Sequence, residues 1–456
     1  MIELKPHQQK LLDAARAEFV KGHRRVLVQL PTGGGKTYIA GFMLKAKPKK
    51  SFFIVNRIEL IEQTLKSFEL LGLDCGVIAS GLPENRKAAV QICSVDTLKA
   101  RIKREQFAAD FVIWDECRGI AAQGWQKVMA HFGDKTRHLG LDATPIRTDG
   151  KSLAQFFDVM VCGLQISELI AIGALVPPKV FGASVKPDLS NAKISMGDYV
   201  ASDVEDAMMS GGVAGNIVQT YLRIGEGRQG VIFCPTIAYS KFIAQEFTNA
   251  GVICEHVDGE TNKCARDRII SDFRHGKIKM LSNVGLFDAG LDVPNIGYIC
   301  DASPTKSLAK AKQRAGRGAR TAQGKVDYIY ADHAGNRYEH GFPDDDIIWS
   351  LSTAKKKAKG DEVQTKVRDC PECFMSSKAH KKSCEHCGHV FIVEAREVVA
   401  TEAEMELCER VIELCGDELQ NAINACISHD ALKILGKEQG YHWKWAWHKW
   451  QEKKQK

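Results

Sequence analysis

The sequence lacks the features that would place the chain outside the ordinary globular proteins. No uninterrupted apolar run approaches the roughly 18 residues of a membrane span. The first ten residues, MIELKPHQQK, contain no apolar core of a signal peptide. Apolar residues make up 44% and charged residues 26% of the chain, which excludes a disordered, collagen-like or fibrous protein. We therefore expect a cytoplasmic protein without a membrane partner, whose 456 residues form about three domains.

A large excess of one charge is also lacking. Lys and Arg number 63 and Asp and Glu number 56, so the formal net charge is only +7. The surplus is local, because residues 354–382 carry eight Lys and one Arg against four acidic residues. The last sixteen residues carry five Lys against one Glu. An anionic partner is therefore expected near these two segments.

Nothing in the cysteine pattern indicates a disulfide framework, because eleven of the fifteen cysteines are scattered singly. The other four form two C-x-x-C pairs with zinc-ribbon spacing: Cys370, Cys373, Cys384 and Cys387. This spacing predicts a closed structural Zn²⁺ site with four thiolate ligands. One of three nearby histidines could replace a thiolate: His380, His386 or His389.

Two interpretations of the zinc module stay open. It could contact nucleic acid through its lysines, for which Lys378, Lys381 and Lys382 are the candidates. It could equally be a metal-stapled segment that makes no such contact.

Short apolar runs alternate with helical patterns twice along the chain, at about 24–142 and 228–332. This alternation predicts an α/β fold with two parallel-sheet domains. The predicted divisions are 1–148 for the first α/β domain, 149–225 for a connecting or accessory segment, 226–353 for the second α/β domain, 354–369 for a basic linker, 370–392 for the zinc ribbon and 393–456 for a helical, Trp- and Lys-rich C-terminal region.

A glycine-rich segment follows the first predicted strand and opens a helical pattern, which is the context of a phosphate-binding loop. Its predicted nucleotide-binding residues are Thr32, Gly33, Gly34, Gly35, Lys36 and Thr37. The glycines let backbone N–H groups surround phosphate oxygens, and the helix N-terminus adds partial positive charge. We expect Lys36 to reach the β- and γ-phosphates and the Thr37 hydroxyl to ligate Mg²⁺.

Two carboxylates, Asp115 and Glu116, directly follow the apolar run 111–114. In parallel α/β sheets, ligands bind at the carboxyl ends of the strands. We expect Asp115 to hold Mg²⁺ and Glu116 to orient and activate the attacking water.

Four segments in this order resemble the superfamily 2 helicases: 33–37 (GGGKT), 115–118 (DECR), 142–145 (DATP) and 313–320 (QRAGRGAR). The resemblance covers about residues 2–335 and implies two RecA-like domains that close on ATP and grip one nucleic-acid strand. It implies that Gln8 reads adenine and that Gln313, Arg317 and Arg320 face the γ-phosphate from the second domain. Gly290 and Asp292 would face nucleotide and strand. The implied strand-side residues are Arg57, Thr97, Asp142 and Thr144, of which the last two belong to the motif that couples hydrolysis to movement.

One position departs from the family pattern. The family usually has His or Asp fourth in the acidic motif, as a bridge to the coupling motif, and this chain has Arg118.

The C-terminal end holds tryptophans at helical spacing, with Trp443, Trp447 and Trp450 on one predicted face among several lysines. This face could stack on unpaired bases or could dock onto the rest of the protein. Together with the zinc pairs, this ending resembles the RadD-like helicases and their phage-encoded relatives, which implies DNA and repair, recombination or replication-fork work.

The sequence thus predicts an ATP-driven DNA helicase or translocase that acts on single-stranded, forked or four-way branched DNA. Single-strand-binding or replication proteins would be its protein partners. Three alternatives stay open: the motor subunit of a restriction system, an RNA helicase, and an ATP-gated clamp that does not unwind. No obvious nuclease signature accompanies the motor.

Overall fold

A computed structural model describes residues 3–45, 50–146, 152–182, 187–195, 197–210, 213–287, 293–351, 367–378, 381–391, 416–438, 441 and 444–455. The chain divides into two compact units, Met1–Ile392 and Val393–Lys456. Within the described ranges, no helix has both the length and the hydropathy that crossing a bilayer requires.

Seven parallel strands and their covering helices form the first lobe. The strands are β1 (Arg25–Gln29), β2 (Ser51–Val55), β3 (Cys75–Ile78), β4 (Val90–Ser94), β5 (Phe111–Asp115), β6 (Arg137–Asp142) and β7 (Val159–Cys162). The helices are α1 (Pro6–Val20), α2 (Lys36–Lys45), α3 (Glu59–Leu70), α4 (Val95–Arg101) and α5 (Gln123–Phe132). The strand order is β3-β4-β2-β5-β6-β1-β7. Strands β2 and β4 are buried at every residue, as expected of a parallel sheet covered on both faces.

Six parallel strands form the second lobe: β8 (Pro178–Gly182), β11 (Gly230–Phe233), β12 (Cys254–Val257), β13 (Met280–Asn283), β14 (Tyr298–Asp301) and β15 (Tyr328–Asp332). A separate hairpin comprises β9 (Ile194–Ser195) and β10 (Asp198–Tyr199). The helices are α6 (Ile166–Ala171), α7 (Ala201–Ser210), α8 (Val213–Ile224), α9 (Ile237–Asn249), α10 (Lys263–Arg274), α11 (Leu308–Gly318) and α12 (Asn336–His340). The strand order is β12-β13-β11-β14-β15-β8.

The prediction of two parallel-sheet α/β domains is confirmed, and the segment 149–225 contributes a strand to each sheet. Strand β7 pairs with β1 at the edge of the first sheet, and β8 pairs with β15 at the edge of the second. Helix α6 lies between these two strands in the sequence and therefore forms part of the inter-lobe connection. Edge strands of four and five residues carry too little apolar pattern to be recognised from the sequence.

The segment predicted as a zinc ribbon contains a short antiparallel hairpin of β16 (Val367–Asp369) and β17 (Ser376–Lys378). It packs on the second lobe, where the Gly182 amide donates to the Phe374 carbonyl at 3.2 Å. The buried Arg337 donates from Nη2 to Asp369 Oδ2 at 2.8 Å. A side chain at position 182 would overlap the Arg337 guanidinium, so glycine is needed at this contact.

The second unit contains three described helices, α13 (Gly416–Ala425), α14 (His429–Glu438) and α15 (Lys444–Gln455). Trp450 packs against its small core, whose buried members are Ile423, Leu432 and Ala446. Trp447 is 51% exposed, and Trp443 lies outside the described residues. The predicted tryptophan face is therefore divided, with Trp450 turned inward and Trp447 outward.

Candidate active site

The phosphate-loop residues connect β1 to α2. Gly33 and Gly35 have φ angles of 85° and 95°, which favour glycine because other residues are strained in this region. A side chain at position 35 would also overlap Gln8 Nε2. Lys36 Nζ donates to the Leu30 carbonyl at 3.1 Å, which holds the ammonium group back over the loop. This folded loop fits a polyphosphate, which would take over the Lys36 contact.

Gln8 lies beside this loop in α1 and is buried. Its Nε2 donates to the Gly34 carbonyl at 2.9 Å, and its Oε1 accepts from the Lys5 amide at 3.0 Å. The side chain thus ties the start of the chain to the phosphate loop. Its reading of adenine stays a prediction.

The carboxylates of Asp115 and Glu116 lie at the end of β5. The phosphate loop follows the parallel strand β1, so both lie at the same edge of the sheet. Burial and the Glu116 charge raise the pKa of Asp115 to about 7. Burial alone would raise the pKa of Glu116, but Arg118 and Lys36 outweigh it and leave this pKa below its ordinary value. The hard oxygen donors of Thr37 and Asp115 fit Mg²⁺, whose charge would keep the acidic pair ionised.

Glu116 accepts hydrogen bonds from both lobes. Arg118 Nη1 in the first lobe and Gln313 Nε2 in the second both donate to its Oε2, the latter at 2.9 Å. Glu116 also has a φ of 51°, a left-handed conformation that costs a non-glycine residue on the order of 1 kcal/mol. The strained backbone turns this carboxylate toward the opposing lobe, and such strain clusters at functional sites.

Arg118 also bridges to the coupling motif. Its Nη1 donates to Asp142 Oδ1 and its backbone amide to Asp142 Oδ2, both at 2.8 Å. The Thr144 amide donates to Asp142 Oδ1 at 2.9 Å. Asp142 and Thr144 are 0% and 3% exposed, and the nucleic-acid contact expected of them stays a prediction. Asp142 accepts hydrogen bonds from both the acidic motif and the Thr144 amide, so it links the acidic motif to the residues that follow β6.

Helix α11 of the second lobe packs directly on the phosphate loop. A Cβ at Gly316 would lie 2.9 Å from Thr32 Cβ, and a Cβ at Gly33 would lie 3.5 Å from Arg320 Cγ. The Arg317 charge contributes to the lowered pKa of Glu116. The structure thus brings Gln313, Arg317 and Arg320 together with the loop and the acidic motif, in a closed arrangement of the lobes.

The other two strand-side candidates, Arg57 and Thr97, both make hydrogen bonds within the protein. Arg57 Nη1 crosses between lobes and donates to the carbonyls of Gly285 and Leu286 at 3.0 and 3.1 Å. Thr97 is buried, and its Oγ1 accepts from the Ser80 amide at 3.0 Å. Gly290 and Asp292 lie outside the described residues.

Lys378 and Lys382, two of the three candidate lysines of the ribbon, are exposed. Lys378 Nζ lies 3.3 Å from Asp345 Oδ1, so one of the two is paired with an acid of the second lobe.

The four cysteine sulfurs lie within 4.8 Å of one another. Two Sγ–Sγ distances are 3.5 Å, for Cys370–Cys387 and Cys373–Cys384. Zn–S bonds of about 2.3 Å place the sulfurs of a tetrahedral site about 3.8 Å apart, so this cluster fits zinc. The His386 ring instead packs on Phe181, with the ring centroids 5.5 Å apart. His380 lies outside the described residues.

Each of the two lobes matches a known protein family. Residues 1–147 match the model for "Type III restriction enzyme, res subunit", and residues 214–322 match "Helicase conserved C-terminal domain".

Two relatives match most of this chain. A 51.5 kDa protein of a Lactococcus phage (isolate 7-9) is 31% identical over 84% of this chain and 82% of its own length. The putative mitochondrial ATP-dependent helicase irc3 of Schizosaccharomyces pombe is 31% identical over 73% of this chain and 57% of its own length. The chain therefore spans most of the phage protein but little more than half of the yeast one.

One solved structure shares the fold of the two lobes. The ATP-dependent Type ISP restriction-modification enzyme LlaBIII bound to DNA aligns with a TM-score of 0.57. It is 18% identical, and the alignment covers 73% of this chain and 28% of LlaBIII.

Proposed function

The chain belongs to the superfamily 2 helicases, a family of ATP-dependent nucleic-acid motors, and from this premise we propose that it is a DNA-stimulated ATPase that moves along DNA and remodels branched DNA. The observation that carries the proposal is that the Glu116 carboxylate, beside the phosphate loop, accepts hydrogen bonds from both lobes. A catalytic group held from two sides responds to lobe closure, as a motor requires.

The roles of the first lobe follow from its charges. Lys36 exchanges its contact with Leu30 for the β- and γ-phosphates of the substrate ATP. Thr37 and Asp115 hold Mg²⁺, which neutralises phosphate charge when bound. Glu116 orients the attacking water and takes its proton.

The second lobe supplies the remaining charge. Arg317 and Arg320 lie on or just beyond α11 and face the loop that binds phosphate. One of them neutralises the charge that builds on the γ-phosphate, a contribution typically worth about 10³–10⁵ in rate. Gln313 links Glu116 to the same helix, so catalysis depends on α11 being seated against the first lobe.

We further propose that the cysteine cluster holds one Zn²⁺ and that this site is structural. Four thiolates fill a tetrahedron and leave no open position for catalysis. The metal would hold the knuckles that place the hairpin of β16 and β17 against the second lobe.

DNA contact is proposed for Arg57 and Thr97 at the first lobe and for Lys378 and Lys382 on the ribbon. Arg57 spans both lobes, so its contacts change as the cleft opens. Binding through backbone phosphates should weaken steeply with salt.

Two substitutions test the ATPase proposal. Lys36→Ala should abolish DNA-stimulated hydrolysis because the phosphates lose their cation, and Glu116→Gln should abolish it while nucleotide binding persists. Lys45→Ala, at the end of the same helix α2, is the matched control and should retain turnover. Normal hydrolysis by either active-site variant would refute the assignment.

A substrate panel separates the proposed function from its alternatives. Single-stranded DNA, duplex, fork, four-way junction and RNA should be compared for ATPase stimulation and strand displacement. Preference for branched DNA is the expected result, and preference for RNA would overturn the DNA proposal. Nucleotide-dependent DNA binding without displacement or translocation would favour the ATP-gated clamp.

A restriction-system motor is the second candidate, because the first lobe matches a restriction-enzyme subunit model. Under that function, ATP-driven translocation on plain duplex DNA should exceed the response to forks.

A further inference from the structure

Residues 342–351, which follow α12 of the second lobe, have no assigned role, although they contact both lobes. We call this segment the brace. Its first residues are buried against the second lobe, and its last residue packs on the core of the first. No motif covers it, and neither family model reaches it.

Lys312 anchors the brace to the second lobe. Its Nζ donates to the carbonyls of Phe342, Pro343 and Asp345 at 2.7, 3.3 and 3.1 Å. Lys312 is 9% exposed and directly precedes Gln313 in α11. An ammonium group surrounded by carbonyls in this way holds the segment, because two buried carbonyl oxygens and a partly buried one would lose its hydrogen bonds if it were removed.

Two polar residues anchor the brace to the inter-lobe connection. Gln165 Nε2 donates to the Ile347 carbonyl at 3.0 Å, and the Ile347 amide donates back to Gln165 Oε1 at 3.4 Å. The Asp346 carboxylate accepts from the Ser167 amide at 3.1 Å and from Ser167 Oγ at 2.5 Å. Gln165 and Ser167, the partners on the connection, lie in the sequence between β7 of the first sheet and β8 of the second.

The end of the brace reaches the body of the first lobe. Leu351 packs against the cluster that contains Leu153 and Phe157, and Ser152 Oγ donates to its carbonyl. The brace therefore connects α11, the inter-lobe connection and the first-lobe core in one run of ten residues.

We propose that the brace positions α11 over the phosphate loop by resisting separation of the lobes, with Lys312, Gln165 and Asp346 as its positioning residues. Opening the cleft would have to break the Gln165 and Asp346 hydrogen bonds or pull the brace from Lys312. Because α11 packs on Thr32 and its Gln313 donates to Glu116, the brace favours the arrangement in which the catalytic groups meet. This inference rests on the proposed ATPase function for its kinetic consequences only.

The expected size of the effect is moderate. Asp346→Ala removes two hydrogen bonds at the surface and Gln165→Ala removes two that are partly buried. Each pair should shift the lobe equilibrium about fivefold toward the open form. Since apparent affinity scales with the population of the competent form, KM for ATP should rise by up to about fivefold. The kcat at saturating ATP should stay within about twofold, because bound nucleotide itself drives closure.

Two matched controls come from the same region. Ile348→Ala alters a brace side chain that is 98% exposed. Glu339→Ala removes a carboxylate whose ion pair with Lys306 stays within the second lobe. Both controls should keep the KM of the unaltered chain.

Hydrogen–deuterium exchange of the nucleotide-free chain gives a readout that does not depend on catalysis. Asp346→Ala and Gln165→Ala should each raise exchange in peptides that cover 342–351 and 163–170, and the double variant should raise it further. The proposal is overturned if KM is unaltered in both single variants, even where exchange rises, because the brace would then only stabilise its own segment. If the unaltered chain hydrolyses no ATP, the proposed function fails, and equal exchange in variants and controls would reject the brace separately.

Discussion

The bridge made by Arg118 leads to a prediction that can be measured as a double-mutant cycle. Arg118→Gln removes the guanidinium that contacts both Glu116 and Asp142, and Asp142→Asn removes the fully buried charge that it pairs with. The double variant carries two neutral amides that can still hydrogen-bond to each other. The three variants and the unaltered chain form the cycle.

The expected loss of folding stability follows from the burial of the Arg118–Asp142 ion pair. Removing one member of a buried ion pair typically costs about 3–5 kcal/mol, because the other charge is left uncompensated. Here the Arg118 and Thr144 amides still donate to Asp142 and the Arg118 side chain is 21% exposed, so we expect about 2–3 kcal/mol for Arg118→Gln. The double variant should cost about 1–2 kcal/mol less than the sum of the two single variants.

Catalysis should report on the same bridge. Without Arg118, the Glu116 carboxylate keeps only the Gln313 contact of the two that hold it, and its orientation relaxes. A positioned base contributes about 10²–10⁴ in rate, so partial loss of orientation should lower kcat about 10- to 100-fold.

The assays are urea unfolding for stability and DNA-stimulated phosphate release for turnover, with nucleotide binding checked by a fluorescent ATP analogue. A lysine substitution at position 118 should restore part of the turnover because it keeps the charge. Additive stability costs together with unaltered kcat in Arg118→Gln would refute the bridge.

Two further predictions concern the metal and the response to acid. The purified chain should contain about one equivalent of zinc, and Cys370→Ser should lower the zinc content and raise proteolysis of the ribbon; a metal-free chain with an intact ribbon would contradict this. Trp114 Nε1 donates to His138 Nδ1 at 3.1 Å, and burial lowers the pKa of His138 to about 4. The unfolded chain takes up this proton near pH 6.5, so first-lobe stability should fall by up to about 3 kcal/mol between pH 6.5 and 4. His138→Gln should flatten that loss in urea unfolding, and an equally steep loss would assign the acid sensitivity to other groups.

Much of the fold could be predicted because parallel strands buried on both faces read as apolar runs. The two ranges predicted to alternate, about 24–142 and 228–332, contain strands β1–β6 and β11–β15. Strands β7 and β8 lie outside these ranges, since each is a sheet edge that depends on a partner far away in sequence.

The local parts of the candidate site could be predicted for a different reason. A phosphate loop is a contiguous segment, so the residue types and spacing carry the chemistry directly. The resemblance indicated position 118 as a bridge to the coupling motif, but the double contact of Arg118 could not be predicted, because it depends on Asp142 and Glu116 coming within reach of one guanidinium. The brace gave even less signal, since its contacts are made mostly by backbone carbonyls. A lysine in the buried face of α11 was the one visible sign.

The route of the chain after α12 suggests how the accessory parts could follow the motor. The brace crosses toward the first lobe, and the ribbon then packs again on the second. Arg337, 1% exposed, pairs with both Asp332 of β15 and Asp369 of the ribbon, so the ribbon is held to the second sheet by a buried charge network. Because such a network is costly to break, the ribbon should move with the second lobe as one body. Any DNA contact made by Lys382 would then shift relative to the first lobe each time the brace yields, which would couple nucleotide turnover to movement on the strand.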